Sequence, residues 1–410
     1  MKKLLQINTV CNSGSTGRIA EDLARISSRY GWENYIVFGR NSRKSHIAKM
    51  YQLGWKYSSL INASIARILD NDGFLNSKNT QKLICYIDNI KPDIIHIHNL
   101  HGYYIDIRIL FEYIKTKKIP TIITLHDCWL FTGHCTYFSA CNCNKWQALC
   151  QKCQQKKSYP KSIFFDRSTE NFLAKKQIFK NFHNLTIVPV SDWLSDLLSE
   201  SFLKNIRKYV IKNGINLEVF KPQQPSDSFL EKYKIGNKFI IIGVANIWNW
   251  RKGLQDFLTL SKKLNNDEII ILVGLSERQK KYINANFKNI IPVTRTENIQ
   301  ELVELYSVSN VFFNPTYEDN YPTTNMEAQA CGVPVVSYKT GGACESLDDV
   351  YCFKIKQGDL NNALMAIRSI KNLDKKTISQ ILVKKSRGRF DSSICFNKYI
   401  SLYNKLLAEI

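Results

Sequence analysis

Short apolar runs recur along the chain, each bounded by Gly, Asn, Pro or Asp and followed by a stretch of helical periodicity. In the first half, residues 4–8, 34–38, 92–98, 120–125, 185–190 and 209–211 read as strands with helices between them. The rhythm breaks at 213–216 and again over 221–228, where Pro, Gln and Ser replace apolar positions as in a linker. It restarts at 238–244 and continues through 268–273, 289–293, 310–314 and 334–338. Strands separated by helices predict a parallel, doubly wound sheet, here twice over. Such sheets bind ligands beyond the carboxyl ends of their strands, so two facing domains offer a cleft for two substrates. The last stretch places Tyr399, Leu402, Tyr403 and Leu406 at helical spacing.

Length and composition narrow the picture. The 410 residues suit two or three domains, and 44% hydrophobic with 12% aromatic residues supports packed cores. Lys and Arg number 57 against 35 acidic residues, a net charge of +22 that favours anionic partners: nucleic acid, an acidic membrane face or phosphorylated substrates. The apolar run at 4–8 stops at a polar loop and reads as a strand rather than a signal-peptide core. The longest apolar runs, near 239–245 and 269–274, fall far short of the roughly 20 residues that span a bilayer. The expected setting is cytoplasmic, with peripheral contact on the inner membrane face. Twelve Cys in such a chain do not predict a disulfide framework.

The densest chemistry lies in residues 312–345, FFNPTYEDNYPTTNMEAQACGVPVVSYKTGGACE. It reads as strand, acidic loop, helix, tight turn, strand and Gly-Gly loop. A helix opened by Pro322, Thr323, Thr324 and Asn325 presents amides and a positive dipole end to an anion. Glu318 and Asp319 precede it, and Glu327 lies one turn inside, placed to accept hydrogen bonds from sugar or ribose hydroxyls. Gly341 and Gly342 let backbone approach a phosphate closely, or simply make a turn. Upstream, Arg251-Lys252-Gly253 opens another helix after a strand and the loop from Asn246; two cations there suit a diphosphate.

Together these segments resemble the retaining glycosyltransferases of family 4, with the GT-B fold. In that family a carboxylate, seven residues and a second Glu precede an A-x-A-C-G-x-P-V-V helix and strand. Glu327 matches the second carboxylate and Asp319 the first, with Glu318 beside it as the alternative. Lys252-Gly253 matches the family's basic pair, whose earlier Arg would fall at Asn246, where Arg251 would have to substitute. The resemblance implies domains at 1–213 for the acceptor and 214–391 for the donor, with a helix at 392–410 packing back on the first. It also implies catalysis without a divalent metal and a role in bacterial capsule or lipid-linked polysaccharide assembly. The implied partners are a UDP- or GDP-linked sugar and a saccharide or lipid-linked oligosaccharide acceptor, not nucleic acid.

Other candidates lie in the first half. Gly14, Ser15, Thr16, Gly17 and Arg18 join the first strand to a helix and suit an anion or sugar, though they are neither a P-loop nor a dinucleotide fingerprint. His126, ending a strand before Asp127, is placed by the resemblance beside the donor sugar, with His101 the second choice. Asp70-Asn71-Asp72 reads as a helix-ending turn rather than a metal motif. The Cys-rich insert 135–153 offers Cys150 and Cys153 as half of a structural zinc site, completed by Cys135 with Cys141 or Cys143; reduced loop thiols are the other reading. Lysines from Lys156 to Lys180 alternate with Phe164, Phe165, Phe172 and Phe179, as either a lipid-facing surface or a core stripe with a solvated face. Two rival functions remain: a basic, Cys-rich nucleic-acid-binding protein and a nucleotide-sugar epimerase of the same fold.

Overall fold

The computed structural model describes every residue except Asn41, Lys56, Lys234 and Ile410. The chain divides into two compact units, Met1–Lys212 with Phe396–Ile410, and Asn213–Cys395.

In the first unit the apolar runs become seven parallel strands: β1 (Lys2–Asn8), β2 (Trp32–Phe38), β3 (Lys49–Gln52), β4 (Ile94–Ile97), β5 (Thr121–Leu125), β6 (Leu185–Pro189) and β7 (Arg207–Lys208). Their order across the sheet is β3-β2-β1-β4-β5-β6-β7. The central strands are buried on both faces, as a parallel sheet covered by helices requires. Between β1 and β4 the direction of winding reverses, and the strand ends there form the crevice where such sheets bind ligands.

The second unit repeats the plan with β8 (Phe239–Val244), β9 (Glu268–Val273), β10 (Ile290–Val293), β11 (Val311–Asn314), β12 (Val335–Tyr338) and β13 (Phe353–Ile355). Its order is β10-β9-β8-β11-β12-β13, so the reversal falls between β8 and β11. Ile241, Phe257, Ile270, Phe313 and Tyr338 lie at the heart of its core.

The doubly wound expectation holds for both units, with differences at the sheet edges. Residues 49–52 form a strand that periodicity did not predict, and β13 was missed for the same reason: edge strands of three or four residues hold few buried apolar positions. The strand expected at 209–211 lies two residues earlier, although Tyr209 and Ile211 still donate to the carbonyls of Ile187 and Pro189.

The helix Ser392–Ala408 buries Tyr399, Leu402, Tyr403 and Leu406. Tyr403 reaches the His96 ring at 2.6 Å and Tyr399 reaches the Thr124 hydroxyl at 2.9 Å, fixing this helix to β4 and β5. His96 is therefore structural. Asp70 ends the helix Ser58–Leu69 in a left-handed conformation, the expected turn, and its carboxylate pairs with His134. Among the described residues, no helix is long and apolar enough to cross a membrane.

Candidate functional site

At the reversal point of the second sheet, the loop after β8 and the loop after β11 are tied together. Asn249 caps the single turn Trp250–Lys252, its side chain accepting from the Lys252 amide at 3.1 Å. Gly253 follows at φ +72°, and a Cβ there would lie 2.2 Å from the Pro315 carbonyl oxygen. Only glycine permits this approach of the two loops. The Arg251 guanidinium donates to the Glu318 carbonyl at 2.6 Å, and the Tyr317 amide donates to the Arg251 carbonyl at 2.7 Å. Lys252 Nζ pairs with the Asp319 carboxylate.

The charges in this knot act on one another. Burial alone would raise the Asp319 pKa, but the cations of Lys252 and Arg251 outweigh it and hold the carboxyl below its usual range. Burial and the neighbouring Arg251 pull Lys252 below the usual ammonium value, which its attraction to Asp319 only partly offsets. Asp319 is thus firmly ionised.

The Gly-Gly loop joins the knot from β12, with the Gly342 amide donating to the Asp319 carbonyl at 3.1 Å. The helix Thr323–Ala330 starts beside it after Pro322, with no side chain capping its first amides. The side chain of Asn325, another predicted contact, braces the site: its amide donates to the Ala343 carbonyl and its oxygen accepts from Asn314, both at 2.8 Å. Thr323 and Thr324 stay half-exposed at the helix start, and Asn246 is exposed on the loop after β8.

Glu318 and Glu327 are almost wholly buried, 1% and 3% exposed. Glu327 accepts from the Tyr306 hydroxyl at 3.2 Å. Tyr306, Asn249 and Thr316, whose hydroxyl lies 3.3 Å from the Arg251 carbonyl and 3.2 Å from that of Glu318, shape this site without having stood out in the sequence. Tyr306 sits on an ordinary amphipathic helix, and Thr316 and Asn249 are common loop residues.

In the first unit, loops after β1, β4 and β5 gather at the corresponding reversal. Thr9 donates to the His101 carbonyl at 2.5 Å. His101 pairs with Asp127 at 2.7 Å and meets the Tyr159 hydroxyl at 3.1 Å. His126 and His98 lie 3.2 Å apart through their ring nitrogens, and His98 reaches Gln6 at 2.9 Å. A small cavity is lined by His98, His101, His126, Asp127 and Trp129, so the two histidine candidates share one hollow. Burial pushes His126 down to about 4, leaving a neutral ring at physiological pH. Gly14, Ser15 and Thr16 form the first turn of the helix Gly14–Arg29 with Gly14 and Ser15 exposed, Gly17 is buried, and Arg18 bonds back to the Gly14 carbonyl at 3.2 Å.

In the Cys insert the structure separates the two alternatives for the fourth thiol. Among the described residues, no three His, Cys, Asp or Glu side chains gather so as to hold a metal ion. Cys141 instead donates to the Phe138 carbonyl at 3.0 Å, and the Gly133 amide donates to Cys150 at 3.2 Å. It is Cys143, not Cys141, that lines a small hollow with Cys135, Cys150, Cys153 and Trp146. A hydrogen bond from Cys135 lowers the Cys153 thiol to about 7, and burial raises Cys150 to about 11. The four-thiolate zinc set of Cys135, Cys141, Cys150 and Cys153 is not assembled.

Residues 226–384 match the family model described as glycosyl transferases group 1. The chain is 21% identical to WcaC of Escherichia coli (strain K12), named for a glycosyl transferase of colanic acid biosynthesis, over 98% of this chain and all of WcaC. It is 25% identical to the capsular polysaccharide biosynthesis glycosyltransferase CapM of Staphylococcus aureus, over 54% of this chain and 62% of CapM. It is also 25% identical to an N,N'-diacetylbacillosaminyl-diphospho-undecaprenol alpha-1,3-N-acetylgalactosaminyltransferase of Campylobacter jejuni, over 57% and 64%. Sucrose-phosphate synthase from Thermosynechococcus elongatus superposes with a TM-score of 0.72 at 15% identity, covering both chains fully. HepE of Anabaena, solved with UDP-glucose, superposes at 0.69 and 15%, again over both whole chains. The chain has the GT-B fold, and its relatives carry names from bacterial polysaccharide synthesis.

Proposed function

We propose that this protein is a retaining glycosyltransferase of family 4, moving a sugar from a nucleotide donor to a saccharide or lipid-linked acceptor in bacterial capsule or surface-polysaccharide synthesis. The observation that carries the reading is the knot at the second sheet's reversal point, where Lys252 and Asp319 meet beside Arg251 and an uncapped helix start. Open parallel sheets bind nucleotides at that place, and cations with helix amides suit a diphosphate.

In this reading Lys252 and Arg251 take up the negative charge that grows on the departing diphosphate as the glycosidic bond loosens. Amides at Thr323 and Thr324, with the Gly341-Gly342 turn, add dipoles directed at the same anion. Asp319, or Glu318 beside it, faces the sugar, and Glu327 the ribose. His126, held neutral, donates or accepts one hydrogen bond to a sugar hydroxyl. The charge is met by side chains and amides, and transfer proceeds without a divalent metal.

A UDP-linked donor is supported by the HepE structure solved with UDP-glucose. A lipid-linked acceptor is supported by the diphospho-undecaprenol named for the Campylobacter relative. The setting is the cytoplasmic side of the membrane. Neither the nucleic-acid-binding nor the epimerase reading gains anything from these relatives.

The test is a thermal-shift screen of UDP- and GDP-sugars, followed by assay of nucleoside diphosphate release with acceptor. Saturable stabilisation by one donor class is the expected result. No stabilisation by any nucleotide sugar overturns the reading.

A further inference from the structure

The helix Ser58–Leu69 is inside out. Its inward positions are small or polar, Ser58, Ser59, Ala63 and Ala66, while its branched aliphatic residues point to solvent. Leu60 is 63% exposed and Ile61 50%, with Ile65, Ile68 and Leu69 beside them. At 100° per residue, these five side chains fall on one half of the helix and Ser59, Ala63 and Ala66 on the other, with Ser58 buried at the helix's first position. Trp55 and Tyr57, both exposed, pack edge to face at its start.

A second segment extends this surface. The Ile163 amide donates to the Arg67 carbonyl at 2.6 Å, and the Phe165 amide to the Ile68 carbonyl at 3.3 Å. Ile163, Phe164 and Phe165 thus run beside the end of the helix, all exposed, Phe164 at 68%. Of the basic-aromatic stripe noted in the sequence, Phe172 and Phe179 are core and Lys175 is buried against Trp129. Of the stripe's four phenylalanines, only Phe164 and Phe165 are exposed.

Charge identifies what covers this face. Among the described residues of 55–69 and 156–167, Arg67, Lys156, Lys157, Lys161 and Arg167 stand against a single acid, Asp166. That carboxylate is already held by the amides of Cys153 and Ser168. We infer that the outer face of the helix Ser58–Leu69, with residues 163–165, docks on an anionic lipid surface. Aliphatic side chains enter the acyl boundary, Trp55 and Tyr57 sit at headgroup depth, and the basic residues meet lipid phosphates. Pairing with a second copy would stack the same cations on themselves, which is unfavourable. The inference deepens the proposed function by naming the surface from which a lipid-linked acceptor would be met, but its geometry does not depend on the donor.

The test is co-sedimentation of the whole protein with vesicles of phosphatidylcholine alone or with added phosphatidylglycerol, no nucleotide present. Binding is expected on the anionic vesicles and is expected to weaken as salt rises. Ile61→Glu with Ile65→Glu, and separately Phe164→Glu, should each weaken it about tenfold or more. These side chains are exposed, so circular dichroism and Tm should match the wild type. Lys157→Glu with Lys161→Glu should weaken binding through charge alone. Wild-type protein that ignores anionic vesicles, or variants that bind as wild type does, would overturn the inference. So would a lipid-free dimer, seen by sedimentation velocity, that the Glu variants dissociate while vesicle binding persists. Because lipid binding is scored without donor, its failure leaves the sugar-transfer reading standing.

Discussion

Lys252 and Asp319 form an ion pair across 67 residues of chain, closing the loop after β8 onto the loop after β11. Both side chains are largely buried, so neither can be removed without consequence for the other.

Lys252→Ala should therefore do two things. Stranding Asp319 should lower stability by up to about 3 kcal/mol, since breaking a buried pair leaves one charge uncompensated. Turnover should fall about 10²–10³-fold, the usual effect of losing one charge-stabilising donor. Lys252→Met with Asp319→Asn removes the stranded charge and should recover most of the stability but none of the turnover. Urea denaturation beside steady-state kinetics separates the two effects.

Glu327 tests differently because Tyr306 donates to it inside the core. Glu327→Gln keeps an acceptor for that hydroxyl and should retain the wild-type Tm while losing at least about 10²-fold in turnover. Glu327→Ala leaves the buried hydroxyl unsatisfied and should also cost about 1–3 kcal/mol in stability. Equal turnover in Gln and wild type would remove Glu327 from the donor site.

Gly253→Ala places a side chain at φ +72° and against the Pro315 carbonyl. The left-handed backbone alone costs roughly 1–2 kcal/mol, and the clash adds to it. Chemical denaturation should show a loss above that figure, with donor binding weakened because the Lys252 loop shifts.

Stability should fall on the acid side through the histidines of the first unit. Burial lowers His126 to about 4 and His96 to about 3, well below the usual value near 6.5. Between those values the unfolded chain binds protons that the folded chain refuses, so unfolding gains as pH drops. Their contribution is complete above about pH 6.5 and disappears as pH falls toward 4 and then 3. Urea midpoints from pH 7 to pH 3 should trace this decline. His96→Gln, which can still bond Tyr403 and Thr124, should flatten it.

Chelation should leave transfer unchanged. Turnover within error of the untreated enzyme after exhaustive EDTA treatment is the expected outcome; loss restored by magnesium or manganese would assign the charge-stabilising role to a metal.

Much of the architecture was legible because buried parallel strands are written as near-continuous Ile, Val and Leu runs, as at β4, β8 and β9. The edges were not: Lys49–Gln52, Phe353–Ile355 and the shifted β7 owe their state to a neighbour's ladder rather than to their own pattern. In the site, Arg251, Lys252, Asp319 and Gly342 could be picked out by charge and glycine placement, and they do meet. Asn325 was singled out for its place among the helix-start amides; its side chain is a brace, a role that only the packed neighbours Asn314 and Ala343 reveal. Tyr306 left no trace, since nothing local distinguishes a tyrosine that will face a buried carboxylate. Spacing left Cys141 and Cys143 as equals; a short helical turn directs Cys141 to the Phe138 carbonyl, while Cys143 lines the hollow with Cys135, Cys150 and Cys153.

The chain alone therefore determined the alternation of strand and helix, the break between halves and the cluster of charge after the two central strands. Those properties are local, set by side-chain period and by the few residues that stop a strand. Only the tertiary structure decided that β8 and β11 are neighbours, and so that Lys252 lands on Asp319. It also decided that the helix Ser58–Leu69 turns its aliphatic side outward. Both depend on which surfaces the packed sheet leaves available, and that competition between distant segments is absent from any short window of sequence.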